Sequence, residues 1–418
     1  MQTLSKPDES RLWADIEALS AITLPDRPWT RRPFTPLYAQ GRAWLKREMK
    51  SLGLEVSQDA ASNLIGRLPG ANPSLPPLMI GSHTDTVTGG GRFDGIAGVI
   101  VGLEIVRMIS ESGIVLDHPL EIVDFTAEEP TDFGVSTVGS RGMVGNLSDT
   151  MLGSKDPEGR ILSECIAGAG GSPERINDSS RRSGSVAVYL ELHIEQGPVL
   201  IQAGLPLAVV TGIVGIGRYQ ITVTGQPDHA GTTPMTMRRD ALTAAGELFV
   251  KLESICRESY SAPVVGTVGV VNVSPNAANV VPGEVTFRLE VRSVDPALID
   301  TVCERYLSEA RRMIESRGLA IRIEELTRSE PVNVSDLILD TLQSNCERTV
   351  GKGTEVPRIP SGAGHDGNQL SRIAPIGMIF VPSLGGRSHC PEEWTDIGPI
   401  ALGAEALARA LLELDKKL

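Results

Sequence analysis

Histidine and carboxylate residues cluster in short segments of this chain, each of which follows a strand-like or glycine-rich stretch. Those segments cover residues 81–85, 93–95, 127–129, 192–197 and 388–392. Neutral imidazole and ionised carboxylate are the side chains that hold divalent metals at neutral pH. A further carboxylate beside the ligands could transfer protons. This inventory predicts a metal-dependent hydrolase.

Asp94 is the predicted bridging ligand between two metals. It lies in a glycine-rich turn, with three consecutive glycines shortly before it and Gly95 directly after it. Such a turn lets the backbone approach an ion closely. His83 lies eleven residues earlier, at the end of a predicted strand. Asp85 is expected to accept the second ring N–H of His83 and so to orient the imidazole.

The remaining predicted protein ligands are Glu129, His193 and His389. His193 falls on the polar side of the alternating segment 186–194. Glu128 is then left as the general base, which would deprotonate the attacking water and later protonate the leaving nitrogen. A lone His-x-Asp or Glu-Glu pair is more often structural. The prediction therefore depends on the joint order of these motifs at strand ends and glycine turns.

Strand-like and helical segments alternate in the first half of the chain. Strand-like segments at 78–80 and 121–125 flank a helical pattern at 98–109. This alternation predicts an α/β fold with a mainly parallel sheet flanked by helices. In such sheets ligands bind beyond the carboxyl ends of the strands, where the candidate residues fall. His118, between Asp117 and a proline, lacks such surroundings and is predicted to be a surface turn residue.

The pattern changes between residues 213 and 328, where the segments read β-α-β-β-α-β. That order is typical of a ferredoxin-like unit. A chain of 418 residues is also too long for one hydrophobic core. We therefore predict an inserted α+β domain at 213–328, with residues 1–212 and 329–418 forming the catalytic, metal-binding domain.

Composition excludes several classes of partner. The chain has 39 basic and 52 acidic residues, for a net charge of −13, which argues against nucleic acid or an anionic membrane. Its five cysteines are scattered without CxxC spacing, as is typical of a reducing compartment. No stretch approaches the roughly 20 apolar residues of a membrane span, and the N-terminus does not read as a secretory signal. A cytoplasmic protein is predicted.

The motifs resemble those of a known family. The most specific are Gly-Ser-His-Thr-Asp-Thr at 81–86, Phe-Asp-Gly at 93–95, His-Ile-Glu-Gln-Gly-Pro at 193–198 and Asp-His-Ala-Gly-Thr-Thr-Pro-Met at 228–235. Their order resembles the dinuclear metallopeptidase family M20 of aminoacylases and bacterial carboxypeptidases, in particular its amidase branch of the hydantoinase/carbamoylase type. That branch contains N-carbamoyl-L-amino-acid hydrolases, β-ureidopropionases and allantoate or ureidoglycolate amidohydrolases. The resemblance covers nearly the whole chain.

The resemblance implies two divalent metal ions per subunit. It assigns His83 and His193 to one ion, Glu129 and His389 to the other, and Asp94 to both. Zinc, manganese, cobalt and nickel are all compatible with imidazole and carboxylate ligands. The resemblance also implies that the inserted domain serves as the lid and dimerisation domain of a homodimer.

The resemblance implies that residues of the inserted domain bind the substrate. His229 matches a family residue that reaches the active site of the neighbouring subunit and stabilises the oxyanion. Asn279 and Arg292 match residues that bind the substrate carboxylate, and the guanidinium of Arg292 offers a bidentate fork. Gln196 is expected to line the same pocket. Relatives commonly continue the Glu pair as Gly-x-Arg-Phe, whereas residues 130–133 read Pro-Thr-Asp-Phe, so the substrate pocket is expected to differ there.

The implied activity is hydrolysis of the ureido C–N bond of an N-carbamoyl-L-amino acid, with release of ammonia, carbon dioxide and the amino acid. Allantoate, ureidoglycolate and N-acyl amino acids are the alternative substrates, because the same metal ligands would serve them. The expected partner is thus a small ureido or N-carbamoyl carboxylic acid. A catalytically silent metal- or ligand-binding protein is the alternative of a different class, and the retention of Glu128 argues against it.

Overall fold

The computed structural model describes residues 3–418. Its strands, in chain order, are β1 (Glu55–Gln58), β2 (Leu64–Leu68), β3 (Leu78–His83), β4 (Leu120–Phe125), β5 (Val188–Ile194), β6 (Ala208–Ile213), β7 (Gly215–Thr224), β8 (Asp228–His229), β9 (Val264–Ser274), β10 (Val280–Val281), β11 (Glu284–Ser293), β12 (Ala320–Ser329), β13 (Val332–Asn333), β14 (Arg358–Ser361) and β15 (Ile376–Val381). Its α-helices are α1 (Glu9–Ser20), α2 (Pro36–Ser51), α3 (Ile96–Glu111), α4 (Val138–Met143), α5 (Asp149–Leu152), α6 (Leu162–Gly168), α7 (Ile176–Ser179), α8 (Val199–Ala203), α9 (Ala241–Cys256), α10 (Pro296–Ser316), α11 (Asp336–Val350), α12 (Gly367–Leu370) and α13 (Ile397–Leu414). Within these residues, no helix has both the length and the apolar composition to cross a bilayer.

A mixed sheet carries the candidate site. Among the described residues, nine strands form it, in the order β1-β2-β4-β3-β5-β15-β6-β13 with β14 also paired to β6. Its centre, β4-β3-β5-β15, is parallel, and the pairs β1–β2, β2–β4, β15–β6 and β6–β13 run antiparallel. The central strands are buried at every position, as expected where helices cover both faces. The predicted α/β fold is confirmed, and its central strands have the predicted parallel arrangement.

Helix α3 packs closely on the central strands. Every residue from Ile96 to Ile109 is buried, which explains the apolar run in the sequence. Gly98 allows the close approach, because a Cβ atom there would lie 2.5 Å from the carbonyl oxygen of Leu192 in β5. A larger side chain at 98 would push α3 away from Leu192 and therefore from the neighbouring His193.

The sheet order explains why distant motifs meet. Parallel strands have their carboxyl ends at the same edge of a sheet, where ligands commonly bind. Strand β3 ends at His83, β4 ends just before residues 127–129, and β5 ends just after His193. The neighbouring positions of β4, β3 and β5 therefore bring these segments to one edge.

The chain divides into two compact units. One ends at Thr211 and resumes at Val334, and the other is Gly212–Asn333. The predicted insertion, 213–328, falls inside the second unit. Its elements occur in the expected order, β7-α9-β9-β11-α10-β12. The proposed use of this unit as a lid and dimerisation domain stays a prediction.

The second unit has its own sheet and core. Its strands pair antiparallel in the order β12-β7-β11-β9. Alternate residues of β11, such as Phe287, are buried against α9 and α10, while Arg288 on the opposite face is exposed. Asp240 and Asp295 cap the two helices by accepting backbone N–H bonds of the first turn. This unit is therefore a sheet with both long helices on one face.

The prediction that His118 is a surface residue is wrong. Its side chain is 3% exposed, and its Nδ1 lies 2.7 Å from the carbonyl oxygen of Pro76. Its backbone N–H donates to Oδ1 of Asp415 at 2.9 Å. Asp415 follows α13 directly, so the C-terminal helix ends over this turn and buries it.

Candidate metal centre

Two histidines approach one carboxylate oxygen at the carboxyl edge of the sheet. His83 ends β3, His193 lies in β5, and both side chains are buried. Their Nε2 atoms lie 4.0 and 3.2 Å from Oδ1 of Asp94. The three residues therefore form one candidate metal-binding group, whose ligand atoms lie within 4.8 Å of one another.

The rings of both histidines are oriented so that Nε2 is the ligand atom. Nδ1 of His83 lies 3.0 Å from the backbone carbonyl oxygen of Asp85, and Nδ1 of His193 lies 2.9 Å from that of Ile194. A carbonyl oxygen only accepts, so each Nδ1 carries a proton and each Nε2 is available to a metal. The expectation that the Asp85 carboxylate orients His83 is wrong, because its Oδ1 lies 3.7 Å from Nδ1.

The second oxygen of Asp94 belongs to an adjacent group with Glu129 and His389. Nε2 of His389 lies 2.9 Å from Oδ2 of Asp94 and 3.3 Å from Oε1 of Glu129. The ligand atoms again lie within 4.8 Å of one another. Nε2 of Gln196 donates to the same Oδ2 at 3.0 Å. Because Asp94 contributes one oxygen to each group, its carboxylate is placed to be shared by two ions.

The chemistry of these residues fits divalent metal ions. Nε2 of His193 is buried and makes no well-formed hydrogen bond, despite its 3.2 Å approach to Asp94. Such a buried polar atom is costly unless something binds it. Two atoms that each lie about 2.1 Å from a tetrahedral ion are roughly 3.4 Å apart. The separations between ligand atoms, 3.2 and 4.0 Å in one group and 2.9 and 3.3 Å in the other, lie on either side of that value.

The titration of the ligands reflects the concentration of negative charge. Burial lowers the pKa of His193, but the adjacent carboxylate of Asp94 outweighs burial and raises that pKa to about 9. Burial and Asp94 raise the pKa of Glu129 to about 8. Both shifts have the direction that an excess of buried carboxylate produces. Cations at this position would relieve that excess.

Glu128 lies beside the cluster without joining either group. Its Oε2 is 3.6 Å from Nε2 of His83, and its side chain is buried. Burial, together with the charges of Asp366 and Glu129, raises the pKa of Glu128 well above its usual range. A carboxyl group of this kind is suited to accept a proton and to return it near neutral pH.

Asp85 fixes the turn that carries the Glu pair. Its Oδ1 accepts the backbone N–H of Glu128 at 3.2 Å, and its Oδ2 accepts that of Glu129 at 3.1 Å. The preceding Ala127 has a left-handed backbone, with φ of 53°. This turn directs the side chain of Glu128 towards His83 and that of Glu129 away to the other ligand group.

A third histidine, His365, lies against His193. The two rings meet edge-on with centroids 4.6 Å apart, and together with Glu191 they form a further candidate ligand group. Glu191, however, already accepts hydrogen bonds from the hydroxyls of Ser82 and Tyr189 at 2.7 and 2.8 Å. His193 has only Nε2 available for a metal. We therefore assign His193 to the ligand group with His83 and Asp94. His365 packs against the ring of His193 and supports its position.

The predicted substrate-binding residues His229, Asn279 and Arg292 lie in the second unit. His229 and Asn279 are both exposed and are brought together by the pairing of β8 with β10. Nδ1 of His229 accepts the backbone N–H groups of residues 231 and 232 at 3.1 and 3.2 Å. Arg292, on β11, pairs with Glu290 at 2.8 Å. The structure thus places His229 beside Asn279, and the metal-ligand candidates in the other unit.

A buried acid, Glu393, was missed by the sequence reasoning. It is 1% exposed, and its Oε1 accepts the backbone N–H groups of Phe93 and Asp94 at 2.8 and 3.1 Å. In the sequence it is half of an acidic pair with Glu392, whose side chain is 60% exposed. The available signal was its position four residues after His389.

Comparison with known proteins identifies the family. A sequence profile of the Peptidase family M20/M25/M40 matches residues 79–413. The chain belongs to this family. The resemblance drawn from the motifs is therefore confirmed. The M20 family is metal-dependent, and the two ligand groups that share Asp94 are the candidate metal positions of this member.

Relatives within the M20 family match almost end to end. An N-carbamoyl-L-amino acid amidohydrolase of Geobacillus stearothermophilus is 39% identical over 97% of this chain and 98% of its own length. A ureidoglycolate hydrolase of Arabidopsis thaliana is 33% identical over 97% of this chain and 87% of its own length. The crystal structure of a hydantoinase/carbamoylase family amidase from Burkholderia multivorans has a TM-score of 0.90 at 34% identity and covers 98% of both chains.

Proposed function

We propose that this M20 member hydrolyses the ureido C–N bond of an N-carbamoyl-L-amino acid. The observation that carries the proposal is the similarity, over 87–99% of the chain, to amidohydrolases named for that substrate, at 39%, 38% and 35% identity. The placement of Glu128 beside two groups of metal-ligand type supports a catalytic rather than a silent protein. Ureidoglycolate is the second candidate substrate, because a relative named for it matches 97% of the chain.

The proposed centre holds two divalent ions, with zinc, manganese, cobalt and nickel all suited to the donors. His83 and His193 would bind one ion, Glu129 and His389 the other, and Asp94 both. When bound, the ions would polarise the ureido oxygen and acidify a water molecule. This polarisation is needed because two nitrogens donate electron density to a ureido carbonyl and make it a poor electrophile.

Glu128 is the proposed proton carrier. Its carboxylate would take a proton from the attacking water and deliver it to the leaving nitrogen as the C–N bond breaks, so that ammonia departs. The carbamate that remains on the amino acid nitrogen then loses carbon dioxide to give the free amino acid. Burial of Glu128 and its raised pKa suit both transfers.

His229 is the proposed donor to the oxyanion. Because its Nδ1 accepts two backbone N–H groups, the neutral ring carries its proton on Nε2 and can donate from there. Loss of one such donor typically weakens transition-state binding by about 3–4 kcal/mol. Arg292 and Asn279 would bind the substrate carboxylate, and Gln196, which already contacts Asp94, would line the pocket.

A homodimer is proposed because His229 is expected to serve the partner's site. Strand β9 supports this proposal, since among the described residues it pairs only with β11 and forms an edge of its sheet. Its exposed Val265, Val270 and Val271 leave apolar surface at that edge, which is a liability unless something covers it. The five cysteines are free thiols throughout the described chain, which supports the proposed cytoplasmic location.

The deciding experiment is ammonia release by metal-reconstituted protein. The substrate panel contains N-carbamoyl-L-amino acids, N-carbamoyl-β-alanine, allantoate and ureidoglycolate, with N-acetyl amino acids read by amine release. We expect ammonia from an N-carbamoyl-L-amino acid. Ammonia from ureidoglycolate alone would favour the second candidate, and amine release from N-acetyl compounds alone would reject ureido hydrolysis.

Two neighbouring variants separate the proposed roles in this assay. Glu128→Gln should keep both ions and lose roughly 10²–10⁴-fold in kcat. Glu129→Gln should instead bind one ion more weakly, because it removes a proposed ligand. Full activity in Glu128→Gln would reject the proposed proton carrier.

The subunit contribution of His229 has its own test. His229→Ala and Glu128→Gln homodimers should each be nearly inactive. After subunit exchange, mixed dimers would have one complete site, so roughly a quarter of the wild-type activity should return. No recovery, with exchange confirmed by a size tag, would reject the shared site.

A further inference from the structure

Glu393 connects two loops that carry proposed metal ligands. Its Oε1 accepts the backbone N–H groups of Phe93 and Asp94 at 2.8 and 3.1 Å, across 300 and 299 residues of sequence. Its Oε2 accepts the hydroxyl of Ser388 at 2.7 Å, and Ser388 directly precedes His389. The Glu393 carboxylate thus fixes the backbone of Asp94, which both ligand groups share. It also fixes Ser388, which precedes the exposed ligand His389.

The Asp94 turn is shaped to receive this carboxylate. A Cβ atom at Gly91 would lie 1.8 Å from Oε1 of Glu393, so only glycine leaves the space that the carboxylate fills. Gly91 is not in the left-handed region, which means that its backbone alone does not require glycine. Glycine is therefore required at position 91 because the Glu393 carboxylate occupies the space that a Cβ atom would fill.

Aromatic packing holds the same two segments together independently of the carboxylate. The guanidinium of Arg92 lies over the ring of Trp394, with 4.5 Å to the ring centroid, and over the ring of Trp29 at 4.8 Å. The rings of Phe93 and Trp394 also meet edge-on at 5.6 Å. Contacts of this kind stabilise the packing, and a cation–π contact does so more strongly when it is shielded from solvent. Trp394, the residue next to Glu393, thus also packs against the Asp94 turn.

Joining two loops through a buried carboxylate whose hydrogen-bond donors are all neutral carries a large desolvation cost. Glu393 is 1% exposed, and its carboxylate accepts hydrogen bonds from two backbone N–H groups and one hydroxyl. A residue serving stability alone would be as effective if neutral. The negative charge is accounted for if cations bind on the other side of Asp94.

We infer that Glu393 is a positioning residue that locks the Asp94 turn to the His389 loop and thereby sets the affinity for the ion shared by Asp94, Glu129 and His389. This inference rests on the proposed metal centre. The other ion should depend less on Glu393, because His83 and His193 are fixed by strands β3 and β5. Partners that orient metal ligands typically change metal affinity 10–100-fold when they are removed.

The test is calorimetric titration of metal-free protein with Zn²⁺ and with Co²⁺, whose visible spectrum reports coordination. Wild type should bind two ions. Glu393→Gln and Glu393→Ala should bind one ion with wild-type affinity and the other at least about 10-fold more weakly, with an altered Co²⁺ spectrum. The matched control is Glu392→Gln, which removes the exposed neighbour and should bind both ions as wild type does.

Gly91→Ala provides a second route to the same outcome. It should displace Glu393 and reproduce the loss of one tight ion without removing any acid. The inference would be overturned if Glu393→Ala bound each ion with the same affinity as wild type does. It would also be overturned if every variant weakened the binding of both ions to the same extent. Because the readout needs no substrate, absence of ureido hydrolysis with two ions bound would reject the proposed activity and leave the role of Glu393 standing.

Discussion

The carboxylate of Asp85 accepts the backbone N–H of Glu128 at 3.2 Å, and through its other oxygen that of Glu129 at 3.1 Å. One buried acid thus orients both the proposed proton carrier and a proposed ligand. Asp85→Asn should lower kcat/KM roughly 10–100-fold, because an amide offers one acceptor oxygen and turns its NH2 towards the other N–H. The control is Asp117→Asn, at a half-exposed acid, which should leave kcat/KM unchanged. A wild-type kcat/KM in Asp85→Asn would contradict the proposed role of Asp85.

Gly95→Ala should abolish binding of one metal ion. Its φ is 67°, and a Cβ atom there would lie 2.4 Å from Nε2 of His83, the proposed ligand atom. Gly89 provides the control, since its φ is 63° and no atom lies within 4 Å of a Cβ built there. Gly89→Ala should therefore show only the backbone strain of about 1–2 kcal/mol. Metal content by plasma spectrometry separates the two, and two bound ions in Gly95→Ala would refute the assigned ligand.

Removal of metal should destabilise the first unit. The buried carboxylates of Asp94, Glu128 and Glu129 would then lack a compensating cation and would have to take up protons or repel one another. A ligand present at 100 times its Kd stabilises the folded state by about 2.7 kcal/mol, so chelation should lower the unfolding temperature by several degrees. Calorimetry with and without a chelator measures this change, and re-addition of Zn²⁺ should reverse it. Superimposable melting curves would count against bound ions.

Acid should weaken the second unit through Glu290. Burial raises the pKa of this carboxyl, but the hydrogen bond from Arg218 and the charge of Arg292 outweigh burial, and the net pKa is lowered. A folded carboxyl with a lowered pKa binds fewer protons than the unfolded one. Its stabilisation is therefore present above the unfolded value of about 4.3 and is lost as pH falls towards the folded pKa.

The measurement compares wild type with Glu290→Gln. The variant should unfold at lower temperature near pH 7, and the difference should shrink as the pH is lowered to about 3.5. Glu304→Gln, at an exposed position on α10, controls for the general effect of removing an acid. A difference that grows in acid would contradict the lowered pKa.

The sequence was sufficient where chemistry coincided with local pattern. His83 and His193 could be assigned to one edge because strand ends are readable from apolar runs, and parallel strands end together. The glycines around Asp94 marked a tight turn. The β-α-β-β-α-β order was equally readable, and the structure has the same order in the second unit.

The sequence was insufficient where a role depends on the approach of distant segments. Nothing in the pair Glu392–Glu393 shows which acid is buried, because that depends on a contact across 300 residues. The acceptor for His83 was assigned to the wrong group of Asp85, since the choice between carboxylate and carbonyl depends on the backbone turn at 83–85. Burial of His118 likewise follows from the end of α13.

The position of β15 in the sheet has a consequence for biosynthesis. Strand β15 lies between β5 and β6, yet it is translated after the whole of the second unit, Gly212–Asn333. Until residues 376–381 emerge, one side of β5 remains an open apolar edge, and neither the Ser388 loop nor Glu393 exists to close the Asp94 turn. Non-local pairing of this kind is slow and leaves aggregation-prone edges exposed. The centre can therefore acquire its full set of ligands only once residues 376–393 have been synthesised, and we expect chaperone protection of the unfinished sheet to raise the yield of active enzyme.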